Sequence, residues 1–319
     1  MARRKGRNVD GILLLDKPQG LSSSQALGRV KYLLGARKAG HTGALDPRAT
    51  GLLPLCFGQA TKVSGWLLDA DKRYVAVARL GVETDSADMD GEILAESPVP
   101  VITDEDLARL ERDFTGDLEQ VPPMVSALKK DGRRLYELAR EGVEVDRPPR
   151  PVRIHSLNIE RLADDRLRLE VYCSKGTYIR SLVADIGNAL GCGAAVEELR
   201  RTAHGVFDAE AMWTREALEE RFEAGGPAAI EACLLPAEAA LAGWPQVHLN
   251  ATGAAALRHG NTADAETVDR QVTGASPVPD EAGPAGILVR MHGPEGEFLG
   301  VGLQDAKGAV RPRRLFTTA

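Results

Sequence analysis

The stretch GHTGALDPRATGLLP, residues 40–54, is the most distinctive part of this chain of 319 residues. It brings one imidazole, His41, and one carboxylate, Asp46, into a segment punctuated by glycine and proline. Glycine allows a tight or left-handed backbone, and Pro47 restricts its own φ and the conformation of Asp46. Such a loop can hold a charged side chain in one direction at little entropic cost. An Asp-Pro step is also typical of an ordinary turn, so these residues alone leave Asp46 as either a turn residue or a catalytic carboxylate.

The segments around this loop predict a mixture of strands and helices. Short apolar or alternating runs indicate strands, and a capping residue before a helical apolar period indicates a helix. Thr103, followed by three acidic residues, predicts a further helix start. Strands are expected over residues 12–15, 74–80, 152–162 and 166–172, and helices over residues 22–34, 60–68, 133–140 and 178–190.

The composition changes after about Pro245. Asn250 can cap a short helix, and a proline-rich loop covers residues 277–284. Short strands are expected over residues 247–249, 287–291, 298–303 and 311–315. This pattern predicts a small β-rich unit with its own core, and therefore a domain boundary near residue 244.

Composition excludes several broad classes of protein. A hydrophobic content of 43% is typical of a globular protein with a sizeable core. No apolar run is long enough to span a membrane, and the one near the N-terminus is too short for a signal peptide. The four cysteines are scattered without a CxxC pair, which disfavours a disulfide framework. We therefore expect a cytoplasmic protein that does not bind membranes.

The formal net charge of −6 conceals an uneven distribution of charge. Acidic residues concentrate between Glu83 and Glu96, whereas basic residues cluster over residues 129–134, 147–153, 200–201 and 311–314. Local basic patches, and not the total charge, determine where a polyanion can bind. A single cluster is usually a solvated face, but several in one chain favour a polyanionic partner.

Arg180 is a second candidate for chemistry, because it opens a predicted helix after the turn in KGTYIRSL, residues 175–182. Paired with Asp46, it would hold that carboxylate ionised, lower its pKa and fix its orientation. Tyr74 follows three charged residues at the start of a strand. Its ring either covers the sheet edge or forms a platform on which a flat base stacks. The plain alternatives are a surface arginine for Arg180 and a core residue for Leu199.

Several common catalytic motifs are missing from the sequence. GxGxxG after a strand, GxxxxGK[ST], HExxH and GxSxG do not occur, and the six histidines are dispersed. Hydride transfer with a nucleotide cofactor, phosphoryl transfer and zinc hydrolysis are therefore disfavoured. We expect neither a cofactor nor a metal.

Taken together, these segments resemble one family, the bacterial tRNA pseudouridine-55 synthases (the TruB family). Besides residues 40–54, the similar stretches are LLLDKPQGLSS (13–23), DKRYVAVARLG (71–81), VPPMVSALKKDGRRLYELAREG (121–142), CSKGTYIRSL (173–182) and ELRR (198–201). The C-terminal GEFLGVGLQDAKGAVRPRRLF (296–316) resembles the small RNA-binding domain of the PUA type that ends these enzymes. The resemblance covers nearly the whole chain.

The resemblance implies roles for the matching positions. Asp46 is expected to be the catalytic aspartate and Arg180 the arginine that pairs with it. Tyr74 is expected to stack on the target base and is a candidate base for the final proton removal. The expected substrate-RNA contacts are Tyr178 and Leu199 in the uracil pocket, His41 against the flipped-out loop, and Lys62 at a phosphate, while Lys17-Pro18 supports the catalytic loop.

The resemblance also implies an α+β fold and a reaction. A catalytic domain over residues 1–244 would contain a mixed, largely antiparallel sheet and a flexible thumb at about 120–153, followed by a PUA-like domain over 245–319. The family breaks the N1–C1′ bond of uridine 55 in the T-loop of tRNA, rotates the flipped base and rejoins it through C5, without cofactor or metal. We expect a monomer that acts on the T stem-loop without guide RNA.

Three other readings remain open at this point. The related guide-RNA-dependent pseudouridine synthase shares the catalytic motifs but usually carries longer basic extensions. A non-catalytic RNA-binding or RNA-folding protein would not need the combination of Asp46, Tyr74 and Arg180. A glycoside hydrolase needs two facing carboxylates, and only one stands out here.

Three features depart from the family pattern. Val125 stands where an aromatic or similarly bulky residue is expected, a departure that bears on the packing of the thumb and does not fall on a catalytic position. The acidic stretch from Glu83 to Glu96 and the proline-rich loop over residues 277–284 are interpreted as local additions.

Overall fold

The structure is a computed structural model of the chain, and it describes residues 6–126, 128–130, 132–135, 138, 141–143, 145–274 and 286–316. The strands are β1 Gly11–Lys17, β2 Ala39–His41, β3 Thr50–Phe57, β4 Lys72–Leu80, β5 Val82–Thr84, β6 Ile93–Glu96, β7 Gly116–Gln120, β8 Lys129–Lys130, β9 Arg133–Arg134, β10 Arg150–Ala163, β11 Arg166–Cys173, β12 Ala194–His204, β13 Phe207–Asp208, β14 Gln246–Leu249, β15 Val268–Val272, β16 Ile287–His292, β17 Phe298–Gln304 and β18 Val310–Leu315. The α-helices are α1 Ser23–Leu34, α2 Ser64–Asp69, α3 Asp104–Asp113, α4 Ile179–Leu190, α5 Arg215–Glu231 and α6 Ala251–Arg258.

A nine-stranded sheet forms the centre of the molecule. Its strand order is β1-β3-β12-β4-β11-β10-β7, with β2 paired to β3 and β13 to β12. The pairing of β12 with β3 is parallel and the other pairs of this sheet are antiparallel. Apolar side chains of β1, β3, β4, β10, β11, α1 and α4 form the main core against it. The predicted α+β fold with a mixed, largely antiparallel sheet is confirmed.

The helices begin and end where their local sequence predicts. Ser22 caps α1 through a capping box with Gln25, and Gly35 ends the helix in the left-handed conformation. Thr103 forms the same kind of box with Asp106 at α3. The helix predicted over residues 60–68 is instead a 3₁₀ turn over 58–62 and the short α2, separated by Val63.

Strand β3 was missed by the sequence analysis, which treated its first residues as part of the loop. Pro54 lies opposite Leu14 on β1, although proline removes a ladder donor and normally argues against a strand within a sheet. Gly51 allows β3 to approach β12, because a Cβ at this position would lie 2.3 Å from the carbonyl oxygen of Arg201. Strand β3 therefore leads from the loop that contains Asp46 into the middle of the sheet.

Ser23 connects α1 to the loop that contains Asp46 through hydrogen bonds. Its buried hydroxyl donates to the carbonyl oxygen of Leu45 at 3.0 Å and accepts from the Leu45 N–H at 2.7 Å. Leu45 immediately precedes Asp46, so this pair of hydrogen bonds fixes the backbone next to the candidate catalytic carboxylate.

Replacing Ser23 with alanine should lower the free energy of unfolding by about 1–3 kcal/mol, because it leaves the buried Leu45 backbone groups without this partner. Urea unfolding followed by circular dichroism measures the change. Ser24→Ala is the matched control, since Ser24 is exposed and should change stability much less. Equal stabilities of the two variants would contradict the proposed anchoring role of Ser23.

A second sheet of five strands, in the order β15-β14-β16-β17-β18, is built from residues 246–315. Its Leu288, Val301 and Leu303 share an apolar cluster with Ile12 and Leu14 of β1. A separate cluster lies inside the unit itself, between its strands and α6. The predicted β-rich C-terminal unit is confirmed, and the exact division of the chain at residue 244 stays a prediction.

Two predicted elements fall wholly or partly outside the described residues. The proline-rich loop over 277–284 lies outside them entirely, as do residues 136, 137, 139 and 140 of the helix predicted over 133–140. Within that helix prediction, Arg133 and Arg134 lie in strand β9, so the helix prediction is wrong at its start. Over the described part of the chain, no helix is both long and apolar enough to cross a membrane.

Candidate active site

Asp46 lies in the loop that joins β2 to β3, at the edge of a cavity of about 400 Å³. Its carbonyl oxygen accepts from the N–H of Ala49 at 3.1 Å, which closes the predicted Asp-Pro turn. The buried ammonium of Lys17 donates to the carbonyl oxygens of Pro18, Leu21 and Pro47 at 2.7–3.2 Å. This contact supports the prediction that Lys17 braces the loop, and burial lowers the pKa of Lys17 to about 8.

Arg180 lies in the first turn of α4 and reaches the Asp46 carboxylate. Its Nε lies 3.0 Å from Oδ2 of Asp46, and its side chain is only 3% exposed. Two carbonyl oxygens hold the guanidinium from other sides, that of Ser86 at 2.8 Å and that of Val125 at 2.6 Å. The structure therefore brings together the two residues that the sequence analysis paired.

A second carboxylate faces the same guanidinium. Oδ2 of Asp88 lies 3.6 Å from Nη1 of Arg180, and its Oδ1 accepts from the Ser86 hydroxyl at 2.7 Å. The interpretation of residues 83–96 as a local addition is therefore wrong at Asp88. The turn between β5 and β6 carries this residue to the site, through backbone pairing of Ala87 and Met89 with Val196 of β12.

The pKa of Asp46 shifts in the direction opposite to the one predicted. Burial raises it above the ordinary value of 3.8, and the charge of Asp88 raises it further, while Arg180 and Lys17 oppose the shift. The Asp46 side chain keeps 40% of its surface exposed, and the residue lines the cavity. The sequence analysis considered the arginine alone, whereas removal of a carboxylate from water favours its neutral form.

Replacing Asp88 with asparagine should move the acidic limb of the pH–rate profile to lower pH. In the catalytic role predicted for it, Asp46 acts as the ionised carboxylate. Asp88 is one of the groups that raise its pKa, so removing this charge lets Asp46 ionise in more acidic solution. Single-turnover rates measured across the acidic and neutral pH range locate the limb. Asp90→Asn is the matched control, because the Asp90 carboxylate pairs with Arg48 at 2.6 Å. A limb that moves to higher pH in Asp88→Asn would contradict this account.

Tyr74 lines the cavity from the middle of the sheet. It is the third residue of β4 and lies directly opposite Arg201 of β12. Burial raises the pKa of the Tyr74 phenol, while the positive charge of the Arg201 guanidinium opposes the shift. Tyr74 is therefore a buried cavity residue, and the alternative of a ring covering the sheet edge is wrong.

The cavity gathers most of the predicted site residues. Tyr178 precedes α4 and Leu199 lies on β12, and both line the cavity with Asp46, Tyr74 and Arg180. Burial raises the pKa of Tyr178. The other lining residues are Gly43, Ala44, Leu45, Leu68, Lys72, Ser126, Leu128, Ser174, Gly176, Thr177, Ile179 and Arg201.

Two predicted RNA contacts lie away from this cavity lining. His41 ends β2, opposite Leu55 of β3. Lys62 ends the 3₁₀ turn over residues 58–62, and its side chain reaches the C-terminal unit. There its ammonium donates to the Leu315 carbonyl at 2.6 Å and lies 5.3 Å from the Phe316 ring centre. A second cavity, of about 520 Å³, lies between the segment 61–69 and the C-terminal sheet. Its lining residues are Thr61, Lys62, Ser64, Gly65, Trp66, Asp69, Leu288, Arg313 and Arg314.

The segment expected to form a thumb contacts the site through its described part. Val125 offers its carbonyl oxygen to Arg180, and the side chains of Ser126 and Leu128 line the cavity. This part of the segment therefore contacts the predicted site directly. The contact uses the backbone of Val125, so the identity of its side chain gave no sign of it.

Sequence reasoning missed Arg201 as a site residue and counted it in a basic surface cluster. The side chain of Arg201 is 1% exposed, whereas its neighbour Arg200 is 41% exposed and pairs with Asp16. Alternation along a strand places Leu199 and Arg201 on one face and Arg200 on the other. That signal was present once Leu199 had been assigned to the uracil pocket.

Sequence comparison places this arrangement in a known family. A model of the TruB family pseudouridylate synthase N-terminal domain matches residues 31–179, and two models of TruB C-terminal domains match residues 180–242 and 245–316. A protein of Stutzerimonas stutzeri (strain A1501) named tRNA pseudouridine synthase B is 49% identical over 98% of this chain and 97% of its own length. The chain belongs to the TruB family of pseudouridylate synthases. It is accordingly an isomerase, and the glycoside hydrolase and non-catalytic readings are wrong.

Further relatives agree with this membership of the TruB family. A protein of Shigella boydii serotype 4 (strain Sb227), also named tRNA pseudouridine synthase B, is 47% identical over 98% of this chain and 97% of its own length. Among solved structures, a chain of a Cbf5–Nop10–Gar1 complex superposes with a TM-score of 0.73 at 26% identity, over 96% of this chain and 85% of that one. The α+β fold and the PUA-like character of the C-terminal unit are consistent with these matches.

Proposed function

We propose that this enzyme converts uridine 55 in the T-loop of tRNA to pseudouridine, with Asp46 as the catalytic carboxylate and without guide RNA. The observation that carries the proposal is the Asp46–Arg180 pair, 3.0 Å apart at the edge of a cavity that Tyr74 also lines. Relatives named tRNA pseudouridine synthase B match at 47–49% identity. The protein from the Cbf5–Nop10–Gar1 complex is only 26% identical, which favours the stand-alone reading over the guide-dependent one.

Asp46 supplies the group that the first step requires. Breaking the uracil N1–C1′ bond needs a carboxylate that either attacks C1′ or removes a proton from the sugar. Both routes use the ionised form, and Arg180 stabilises that form against the desolvation that raises the pKa of Asp46. The forked guanidinium also directs Oδ2 of Asp46 toward one position.

The cavity supplies a place for the detached base. Its volume of about 400 Å³ falls within the range of roughly 300–1,000 Å³ common for small-ligand sites. Tyr74 would stack on the uracil ring, while Tyr178 and Leu199 bound the pocket. A uridine reaches such a site only when it leaves the helical stack, which takes a few kcal/mol. Rotation of the base then places C5 against C1′, the new bond forms, and the C5 proton leaves.

The basic surface supplies the remaining contacts with RNA. We propose that Lys62, with Arg313 and Arg314 at the same cavity, contacts phosphates of the tRNA, and that His41 supports the loop from which the uridine is extracted. Residues 120–153 would close on the RNA as a thumb. The catalytic domain would cover residues 1–244 and the PUA-like RNA-binding domain residues 245–319.

Incubation of the purified protein alone with unmodified tRNA tests this proposal. Pseudouridine mapped at single-nucleotide resolution should appear at position 55, and a tRNA with cytidine at that position should remain unmodified. Light scattering of the same preparation should give the mass of one chain, 34.2 kDa. Activity that requires an added guide RNA and partner proteins would overturn the stand-alone assignment, and modification at another uridine would overturn the site.

A further inference from the structure

The guanidinium of Arg201 lies in the interior next to the active-site cavity, although it is charged. Its Nε donates to the Leu52 carbonyl at 2.7 Å and its Nη2 donates to the Gly43 carbonyl at 3.1 Å. Both of these partners are neutral. A buried charge that is satisfied by neutral groups contributes little to stability, so its retention here points to a role in the chemistry.

The sheet register directs this charge at a single side chain. Arg201 and Tyr74 lie directly opposite each other on the antiparallel strands β12 and β4. The Gly43 carbonyl belongs to the loop that carries Asp46, and Leu52 belongs to β3. One guanidinium is therefore anchored to the Asp46 loop and to β3, on the strand that faces Tyr74. The adjacent Arg200 binds Asp16 at 2.8 Å and takes no part in this arrangement.

The chemistry of the contact determines what Tyr74 can do. Arg201 and Tyr74 are cross-strand neighbours that line the same cavity. A guanidinium has only N–H donors, so it can meet the Tyr74 oxygen only as a donor. The positive charge favours the phenolate over the phenol, whereas burial raises the pKa of Tyr74 and disfavours the phenolate. Arg201 thus acts against burial at the atom that would have to receive a proton.

We propose that Arg201 is a positioning residue for the last step of the reaction, in which it holds the Tyr74 oxygen in place and stabilises the phenolate that removes the proton from C5 of the rearranged uracil. In this step the C5–H bond breaks and its electron pair restores the C5=C6 double bond, while the C6=N1 π electrons pass to N1, which takes a proton from water. The Tyr74 oxygen takes the C5 proton and later releases it to water. The inference rests on the proposed function, because it requires that Tyr74 is the base for this step.

Single-turnover reactions on a T stem-loop RNA with hydrogen or deuterium at C5 of the target uridine test the inference. Arg201→Lys keeps a charge but loses the fork, so the rate should fall by about 10- to 100-fold, as expected when a charge-assisted hydrogen bond is lost. RNA affinity should change by less than about threefold. The isotope effect should be larger in Arg201→Lys than in the wild type, because removal of the C5 proton becomes more rate-limiting. Arg200→Lys is the matched control and should match the wild type in both measurements.

The isotope effect separates this role from a purely structural one. If Arg201 only supports the loop that carries Asp46, its substitution slows the first step, and the isotope effect stays constant or shrinks. That result, or an unchanged rate, overturns the inference while wild-type turnover keeps the proposed function intact. A wild-type protein that forms no pseudouridine overturns the proposed function, and this inference with it. Arg201→Gln, checked for folding by near-ultraviolet circular dichroism, provides the same comparison if the lysine variant does not fold.

Discussion

Asp46→Asn should lower pseudouridine formation by at least about 10⁴-fold while RNA affinity changes by less than threefold, in line with losses of this order for catalytic carboxylates. Asparagine has nearly the same shape as aspartate, but its amide neither attacks C1′ nor accepts a proton. The Arg180 guanidinium still finds an oxygen acceptor at this position and keeps Asp88 beside it. The variant should therefore fold and bind RNA without converting it.

Filter binding and product mapping on the same tRNA preparation measure the two quantities for Asp46→Asn. Asp113→Asn is a suitable control, because Asp113 is an exposed carboxylate at the end of α3 with a distant partner at 3.8 Å. It should behave as the wild type in both assays. Normal product formation by Asp46→Asn would remove the assigned catalytic role, whereas loss of RNA binding would show that the carboxylate also organises the RNA surface.

Arg180→Gln should be the most destabilising of the substitutions considered, with a loss of about 3–5 kcal/mol in the free energy of unfolding. The guanidinium lies between Asp46 and Asp88 and also donates to the carbonyl oxygens of Ser86 and Val125. Its removal takes away the guanidinium that the two carboxylates share and leaves the charge of Lys17 to oppose the raised pKa of Asp46. Arg180→Lys keeps the charge without the fork and should lose less stability.

Urea unfolding of Arg180→Gln beside Arg79→Gln tests this expectation, since Arg79 pairs with Asp165 at 2.7 Å in a half-exposed setting and should contribute about 0–1 kcal/mol. The pH–rate profile provides a second measurement. Arg180 opposes the upward shift in the pKa of Asp46, so its loss should move the acidic limb to higher pH, opposite to Asp88→Asn. A loss of stability below 1 kcal/mol would contradict the interior ion network.

Local signals in the sequence were sufficient for helices α1, α3 and α4. The capping boxes at Ser22 and Thr103 and the glycine after α4 each act within a few residues, so short-range reasoning found them. Strand β3 escaped because its proline and glycine are local signals against a strand, and the pairing that overrides them comes from β1 and β12. Tertiary pairing of this kind leaves no mark within β3 itself.

The residues of the site also divide into those that local motifs indicate and those that depend on tertiary contacts. Asp46, Tyr74 and Arg180 followed from their motifs, and the structure brings all three to one cavity. Asp88 and the Val125 carbonyl could not be found from the sequence, because each reaches Arg180 from a segment without catalytic residues. The pKa of Asp46 was misjudged for a related reason. A pair of charges can be read from two motifs, but the desolvation of a carboxylate depends on every atom around it.

The apolar cluster that joins β1 to the C-terminal sheet has a consequence for the spacing between the two cavities. Ile12 and Leu14 pack on Leu288, Val301 and Leu303, so swinging the C-terminal sheet away would expose that apolar surface to water, which is unfavourable. This packing therefore resists any change in the spacing between the Asp46 cavity and the Lys62–Arg314 cavity. Under the proposed function, phosphates that bind at the second cavity must therefore lie at a set distance from the uridine that enters the first.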